Sequence, residues 1–206
     1  MLSSAATDIE ISDAILNRSA EMDNFEGYAG PHGAVVARIA DALALRFNLA
    51  RHDRSTLVHA AYLHDVGEVA MKREYIASSQ VLSAEERLDL QRHPVIGEQE
   101  AARMGLARGT QLLIRWHHEW WNGLGYPDGL VAGEIPLTAR ILRVADTFAS
   151  LTATRPFRAA MPAADARKYL IEWAGIEFDP KVVKAFIELE SERDAGSTAG
   201  GGVENA

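Results

Sequence analysis

Two short runs and two isolated positions in this chain could do chemistry. His64 and Asp65 are adjacent, with a second acid at Glu68; His117 and His118 are paired; His93 and Asp146 stand apart. Together they offer imidazole and carboxylate donors. The chain has no cysteine, so thiolate ligation, disulfides and a cysteine nucleophile are excluded. Such a nitrogen and oxygen set suits Fe, Mn, Zn or Ni, and a carboxylate can bridge two ions. His64, Asp65, His93, His117, His118 and Asp146 exceed what one tetrahedral ion takes, which leads us to expect two divalent ions. Two cations ~3.5–4 Å apart are a recurring device for in-line displacement at phosphorus.

The elements that must position these groups read as helices. From Ser55, the apolar line Leu57, Ala60, Ala61 continues into His64, Asp65 and Glu68 at helical spacing. A face that starts as core thus ends in an imidazole and two carboxylates. Burying an unpaired carboxylate costs on the order of several kcal/mol, and a bound cation removes that cost. For a single His-Asp pair, a structural salt bridge is the better explanation; the repetition changes the weighing. Leu113 and Ile114 lie one turn before His117 and His118, and Leu142 one turn before Asp146. His93 precedes Pro94 and His32 follows Pro31, each at an expected helix start.

Periodicity predicts helices over 35–47, 55–68, 109–121, 136–154, 163–174 and 180–190. Ser83 and Glu86 form a capping-box pattern, and Gly105 suits a helix stop. No strand alternation is visible. The expected fold class is all-α, a bundle of about six to eight helices. The glycine- and proline-rich NGLGYPDGL at 122–130 reads as a loop between two of them. Residues 1–27 read as an N-terminal segment with a short helix, 28–190 as the catalytic domain, and 191–206 as a disordered polar tail. His52 and His59 read as solvated or edge residues.

With 206 residues, 48% of them hydrophobic, a single domain with a substantial core is expected. A net charge of −8 argues against binding a nucleic-acid polymer, which needs a basic field. Neither a signal peptide nor a membrane span is visible, so a cytoplasmic protein that does not enter the membrane is expected.

Three stretches carry a family resemblance: HDVGE at 64–68, HHEWWNGLGYP at 117–127 and RILRVADTFASLTATRPFR at 140–158. They resemble the HD-GYP branch of the HD phosphohydrolases, over about 30–189. The resemblance implies a helical HD bundle with two or three metal ions. It also implies hydrolysis of the cyclic dinucleotide cyclic di-GMP to pGpG, and on to GMP, by a metal-bound hydroxide. It assigns His64, Asp65, His93, His117, His118 and Asp146 as ligands, with Asp65 bridging. Catalysis would centre on His64, Asp65 and Glu68. Gly123, Gly125, Tyr126 and Pro127 match the substrate-lining loop, and Arg155 and Arg158 match positions facing the substrate phosphate. The chain departs from the pattern in places. Glu68 stands where the family has lysine, and is either an extra ligand or a weakening of substrate binding. Tyr28 stands where three-metal members carry a glutamate, four residues before His32. Two ions are therefore expected, with His32 an additional candidate. Asn122 replaces an aspartate. A homodimer through the N-terminal helix, or a separate regulatory protein, would supply control.

Overall fold

The computed structural model describes residues 8–77, 81–156 and 158–199. Among them the secondary structure is helical, with three isolated bridges in place of any sheet. The helices are α1 (Asp13–Phe25), α2 (His32–Arg46), α3 (Arg51–Leu63), α4 (Val66–Met71), α5 (Ala84–Leu90), α6 (His93–Arg103), α7 (Arg108–Trp116), α8 (Leu137–Thr152), α9 (Ala163–Glu172) and α10 (Pro180–Ala199). The all-helical expectation holds.

α3 is the centre of the bundle, packed against α1, α2, α7 and α8. Its inward line Leu57, Ala60, Ala61 and Leu63 is fully buried, as are Leu43 of α2, Ile114 of α7 and Leu142 of α8. α1 joins this core through Ile15 and Met22. Asp23 of α1 accepts the Gly33 N–H at 3.3 Å, tying the end of α1 to the start of α2. Upstream, Asp8 holds Arg51 at 2.7 Å and Arg54 at 2.6 Å, and buried Arg54 also grips Asp41 at 2.8 Å.

Three boundaries differ from the sequence expectation. The helix expected over 55–68 begins at Arg51 and breaks at His64–Asp65; Asp65 leaves helical geometry (φ −99°, ψ 17°) and a new helix starts at Val66. This break accounts for a helix beyond those the periodicity marks. Its cause is packing: a Cβ on Gly67 would lie 2.0 Å from the His93 carbonyl oxygen, so only glycine lets α4 approach α6 this closely. The helix expected to reach Trp121 ends at Trp116, and the chain turns through both histidines. Finally, α10 runs to Ala199, where a disordered tail from 191 was expected. Ion pairs of Glu192 with Arg46 (2.9 Å) and Asp194 with Arg167 (3.4 Å) fasten that last stretch to α2 and α9. Residues 200–206 of the expected tail, and 1–7 of the N-terminal segment, lie outside the described residues. No helix among the described residues is long and apolar enough to cross a membrane.

Candidate metal centre

Each apolar stripe delivers its polar end to one place. Asp65, His93, His117 and His118 present ligand atoms within 4.8 Å of one another; so do His32, His64 and Asp146. The two groups touch: His64 Nε2 lies 3.0 Å from Asp65 and 3.5 Å from Asp146. Asp65 Oδ1 also reaches His93 Nε2 at 3.2 Å and His117 Nε2 at 3.3 Å. Asp65 therefore stands between the groups, where the resemblance puts a bridging carboxylate. All six ligands expected from the sequence converge, and His32 joins them, 3.5 Å from Asp146.

The imidazoles are oriented by backbone carbonyls close to them in sequence. Nδ1 of His64, His93 and His117 faces the carbonyl oxygen three residues earlier, on Ala61 (2.9 Å), Leu90 (2.8 Å) and Ile114 (2.7 Å). Carbonyls only accept, so each Nδ1 carries the proton and each Nε2 keeps its lone pair facing the cluster. His118 is held differently, with its Nδ1 2.9 Å from Arg143 Nη1. Arg143 is buried against Glu177 and lies 3.7 Å from Asp146. His64 Nε2, Asp65 Oδ1 and both His32 nitrogens are buried without a hydrogen-bond partner. Orphaned polar atoms of this kind, with lone pairs converging, are what a cation site requires. The residues present fit a metal.

The electrostatics divide the site. Burial opposes charge on Asp65, yet His64, His117 and His93 outweigh it and hold the carboxyl well below its usual range. Asp146 is lowered likewise, against burial, by His32 and His64. Burial lowers His117 and, further, His118, where His117 and Arg143 add to it. The opposite holds for a third group, Glu26, Asp65 and Glu68, again within 4.8 Å of one another. Burial, then the Asp65 charge, push both glutamates well above the usual carboxylate range.

Glu26 was not anticipated. It is six residues before His32, past the end of α1, where Gly27 turns the chain with φ 77°. Only the fold brings it to 3.4 Å from Arg155. Arg155 also lies over the Tyr28 ring at 4.0 Å, and Tyr28 stacks on His32 at 4.0 Å. Arg158 turns back onto the Ser150 carbonyl. Arg155 thus stands beside Glu26 of the third group, and both arginines are engaged with protein partners.

The GYP loop is folded onto the paired histidines. Tyr126 stacks on His118 with ring centroids 4.8 Å apart, rather than on the tryptophans. Its N–H donates to the His118 carbonyl at 3.2 Å, and a Cβ on Gly125 would meet Trp120 N at 2.2 Å. Glu119, a second unanticipated residue, anchors the loop: its carboxylate accepts N–H groups of Asp128 (2.7 Å), Gly129 (3.2 Å) and Leu130 (3.0 Å). Asn122 Oδ1 accepts the Leu124 N–H at 2.9 Å, a turn that an aspartate would make equally well. Gly123 (φ 82°) and Pro127 complete the loop.

Residues 12–182 match the HD domain family. The chain belongs to that family. It is 30% identical over 181 residues to a cyclic di-GMP phosphodiesterase of Thermotoga maritima, covering 86% of this chain and 48% of that protein. It is 31% identical over 161 residues to 3'3'-cGAMP-specific phosphodiesterase 2 of Vibrio cholerae, covering 77% and 31%. A crystal structure of a cyclic GMP-AMP specific phosphodiesterase of V. cholerae superposes with TM-score 0.66 at 18% identity, over 86% of this chain and 48% of that one. The chain thus spans less than half the length of these relatives.

Proposed function

We propose that this HD domain is a cytoplasmic, metal-dependent phosphodiesterase that opens cyclic di-GMP to pGpG, with GMP as a further product. The reading rests foremost on Asp65, which faces His64, His93 and His117 from a position shared by both groups of ligands. His32, His64 and Asp146 would hold one divalent ion and His93, His117 and His118 a second, with Asp65 in reach of both groups. When bound, such ions neutralise phosphate oxygens and supply an ionised water at neutral pH.

The chain's own residues bind and orient. Helix-held Nδ1–H groups on His64, His93 and His117 keep the rings fixed, so little reorganisation accompanies the reaction. Tyr126 and Gly125 form the rim above His118, placed by Glu119. Arg155 and Arg158 lie where a phosphate oxygen can displace their protein partners and accept charge-assisted bonds. Glu68 faces Glu26 and Asp65, which supports its role as an additional cation ligand over a role in phosphate binding.

A second reading is favoured by that same Glu68. A glutamate where the family has lysine removes a phosphate-facing cation, and some relatives are named for 3'3'-cGAMP. The substrate is then another cyclic dinucleotide or pGpG, or the domain binds cyclic di-GMP with little turnover. One experiment separates these. Purified protein is loaded with Mn or Fe, its metal content is counted, and product release is followed with cyclic di-GMP, 3'3'-cGAMP and pGpG. Turnover of cyclic di-GMP with about two ions per chain supports the first reading. Full metal occupancy with binding and no product from any of the three refutes hydrolysis.

A further inference from the structure

A cleft of about 340 Å³ opens between the loop before α2 and the end of α8, lined by Gly30, Pro31, Val35, Ala149, Ala153 and Thr152, with Tyr28 and His32 at its base. It begins at the edge of the metal centre. His32 lines it and also lies 3.5 Å from Asp146, while Ala149 is the next α8 position inward of Asp146's own turn. We propose that this cleft is a purine pocket that holds one base of the substrate while the attached phosphate lies at the cluster. The proposal rests on the phosphodiester reading above and names the recognition element it lacks.

Three observations select a base over other occupants. No Lys, Arg, Asp or Glu lines the cleft, so it has nothing to offer a phosphate. Its walls are the methyl and ring surfaces of Val35, Pro31, Ala149 and Ala153, suited to an uncharged flat group. Its volume, at the low end of ligand sites, holds one heterocycle with part of its sugar, not a whole cyclic dinucleotide. Both faces of Tyr28 are already covered, by His32 and Arg155. Tyr28 therefore presents its edge, and the base packs on the aliphatic walls.

The lining also fixes how well bases are told apart. Guanine differs from adenine at its Watson–Crick edge by adjacent N–H donors, which a buried carboxylate would read. None lines this cleft. The Thr152 hydroxyl spends its proton on the Phe148 carbonyl at 2.7 Å and is left as an acceptor only. Strong discrimination arises when the wrong ligand strands buried polar groups of the site. Thr154 adds a second hydroxyl to the lining, and it is exposed to water; few buried groups can be stranded here, so guanine and adenine bind with affinities within about tenfold.

Calorimetry on metal-loaded protein tests this without requiring turnover, using GMP, AMP and ribose 5-phosphate. Gly30 and Val35 both line the cleft, and a Cβ on Gly30 meets no atom within 4 Å, so Gly30→Leu and Val35→Trp add bulk at two separate lining positions. In the native protein GMP and AMP should each bind at least about tenfold tighter than ribose 5-phosphate, a difference of ~1.4 kcal/mol. Either filled variant should equalise the three ligands with metal content unchanged. Equal binding of all three by the native protein overturns the pocket. So does a folded, metal-loaded pair of variants that both keep the base advantage. A GMP advantage above a hundredfold over AMP overturns the purine tolerance. If the base advantage is present and lost on filling, but cyclic di-GMP is not hydrolysed, the functional reading fails and the pocket stands.

Discussion

The two sides of Asp65 have opposite electrostatics. On one side, the Nε2 atoms of His93 and His117 face its carboxylate, a set of lone pairs already gathered for a cation. On the other, Glu26 and Glu68 face it, and Arg155 lies 3.4 Å from Glu26. One side is a set of ligands already in place; the other is a concentration of buried acid that folding alone would not favour. Sites that oppose stability locally are commonly those kept for function. The comparison predicts that the imidazole side governs activity, while the carboxylate side governs how much the fold depends on metal.

Asp65 belongs to both sides, and its loss should have the largest effect. Asp65→Ala is expected to lower turnover by at least ~10³-fold, because the cations supply several kcal/mol and each ~1.4 kcal/mol is tenfold. Metal analysis of the same sample should show less than half the native content. Native metal content with native activity would break the comparison at its centre.

Asp65 and its partners were legible in the sequence for a physical reason. His64, Asp65, His117 and Asp146 follow apolar residues one turn earlier in their own sequence, so periodicity aims them inward, while His93 is marked by the Pro94 helix start. Glu26 and Glu119 were not, because neither lies on such a stripe. Glu26 follows the α1 end, and its direction is set by the Gly27 turn. Glu119 works through loop N–H groups that no spacing rule marks. Arg143 was also passed over, since a cation on a core helix reads as surface until its burial against Glu177 and His118 is seen. The break at His64–Asp65 was hidden too: the apolar line runs straight through it, and the cause, Gly67 against His93, lies on another helix.

Glu119 tests whether the imidazole side needs its rim. Glu119→Ala strands the three N–H groups it holds, and a destabilisation of roughly 1–3 kcal/mol is expected. Outer-shell partners of metal sites typically contribute 10- to 100-fold, so kcat/KM should fall by about that factor. Metal content should stay native, because His117 keeps its bond to the Ile114 carbonyl and His118 its contact with Arg143. A variant that loses metal along with activity would show that the loop holds the ligands, and not only the rim.

The carboxylate side should show its character in metal-free protein. Burial and Asp65 raise the Glu68 carboxyl well above its ordinary value. Above an unfolded-state value near 4.5, the folded chain therefore holds a proton that the unfolded chain has released. Stability is fully present below that pH and is lost as pH rises through the folded value. Glutamine does not titrate. In EDTA, Glu68→Gln should match the native chain near pH 4.5 and exceed it at pH 8 by about 1–2 kcal/mol, roughly 2–8 °C in Tm. Added Mn should shrink or reverse the difference, since the native carboxylate gains a partner. A Tm gap independent of pH and metal would remove Glu68 from the electrostatic argument.

Glu26→Gln should act in the same direction and by less. Glu26 is raised by the same burial and by Asp65 and Glu68, but His64 and Arg155 oppose the shift. Arg155 is itself lowered by burial, which Glu26 partly relieves. Removing the Glu26 charge therefore ends one repulsion and also strands a half-buried guanidinium whose Nε already lacks a partner. The two effects have opposite sign. The gain at pH 8 in EDTA should fall below that of Glu68→Gln, and Arg155→Met in the Glu26→Gln background should recover part of it. Equal gains from the two glutamines would mean that Arg155 does not offset the acid beside it, and the carboxylate side would then be uniform rather than graded.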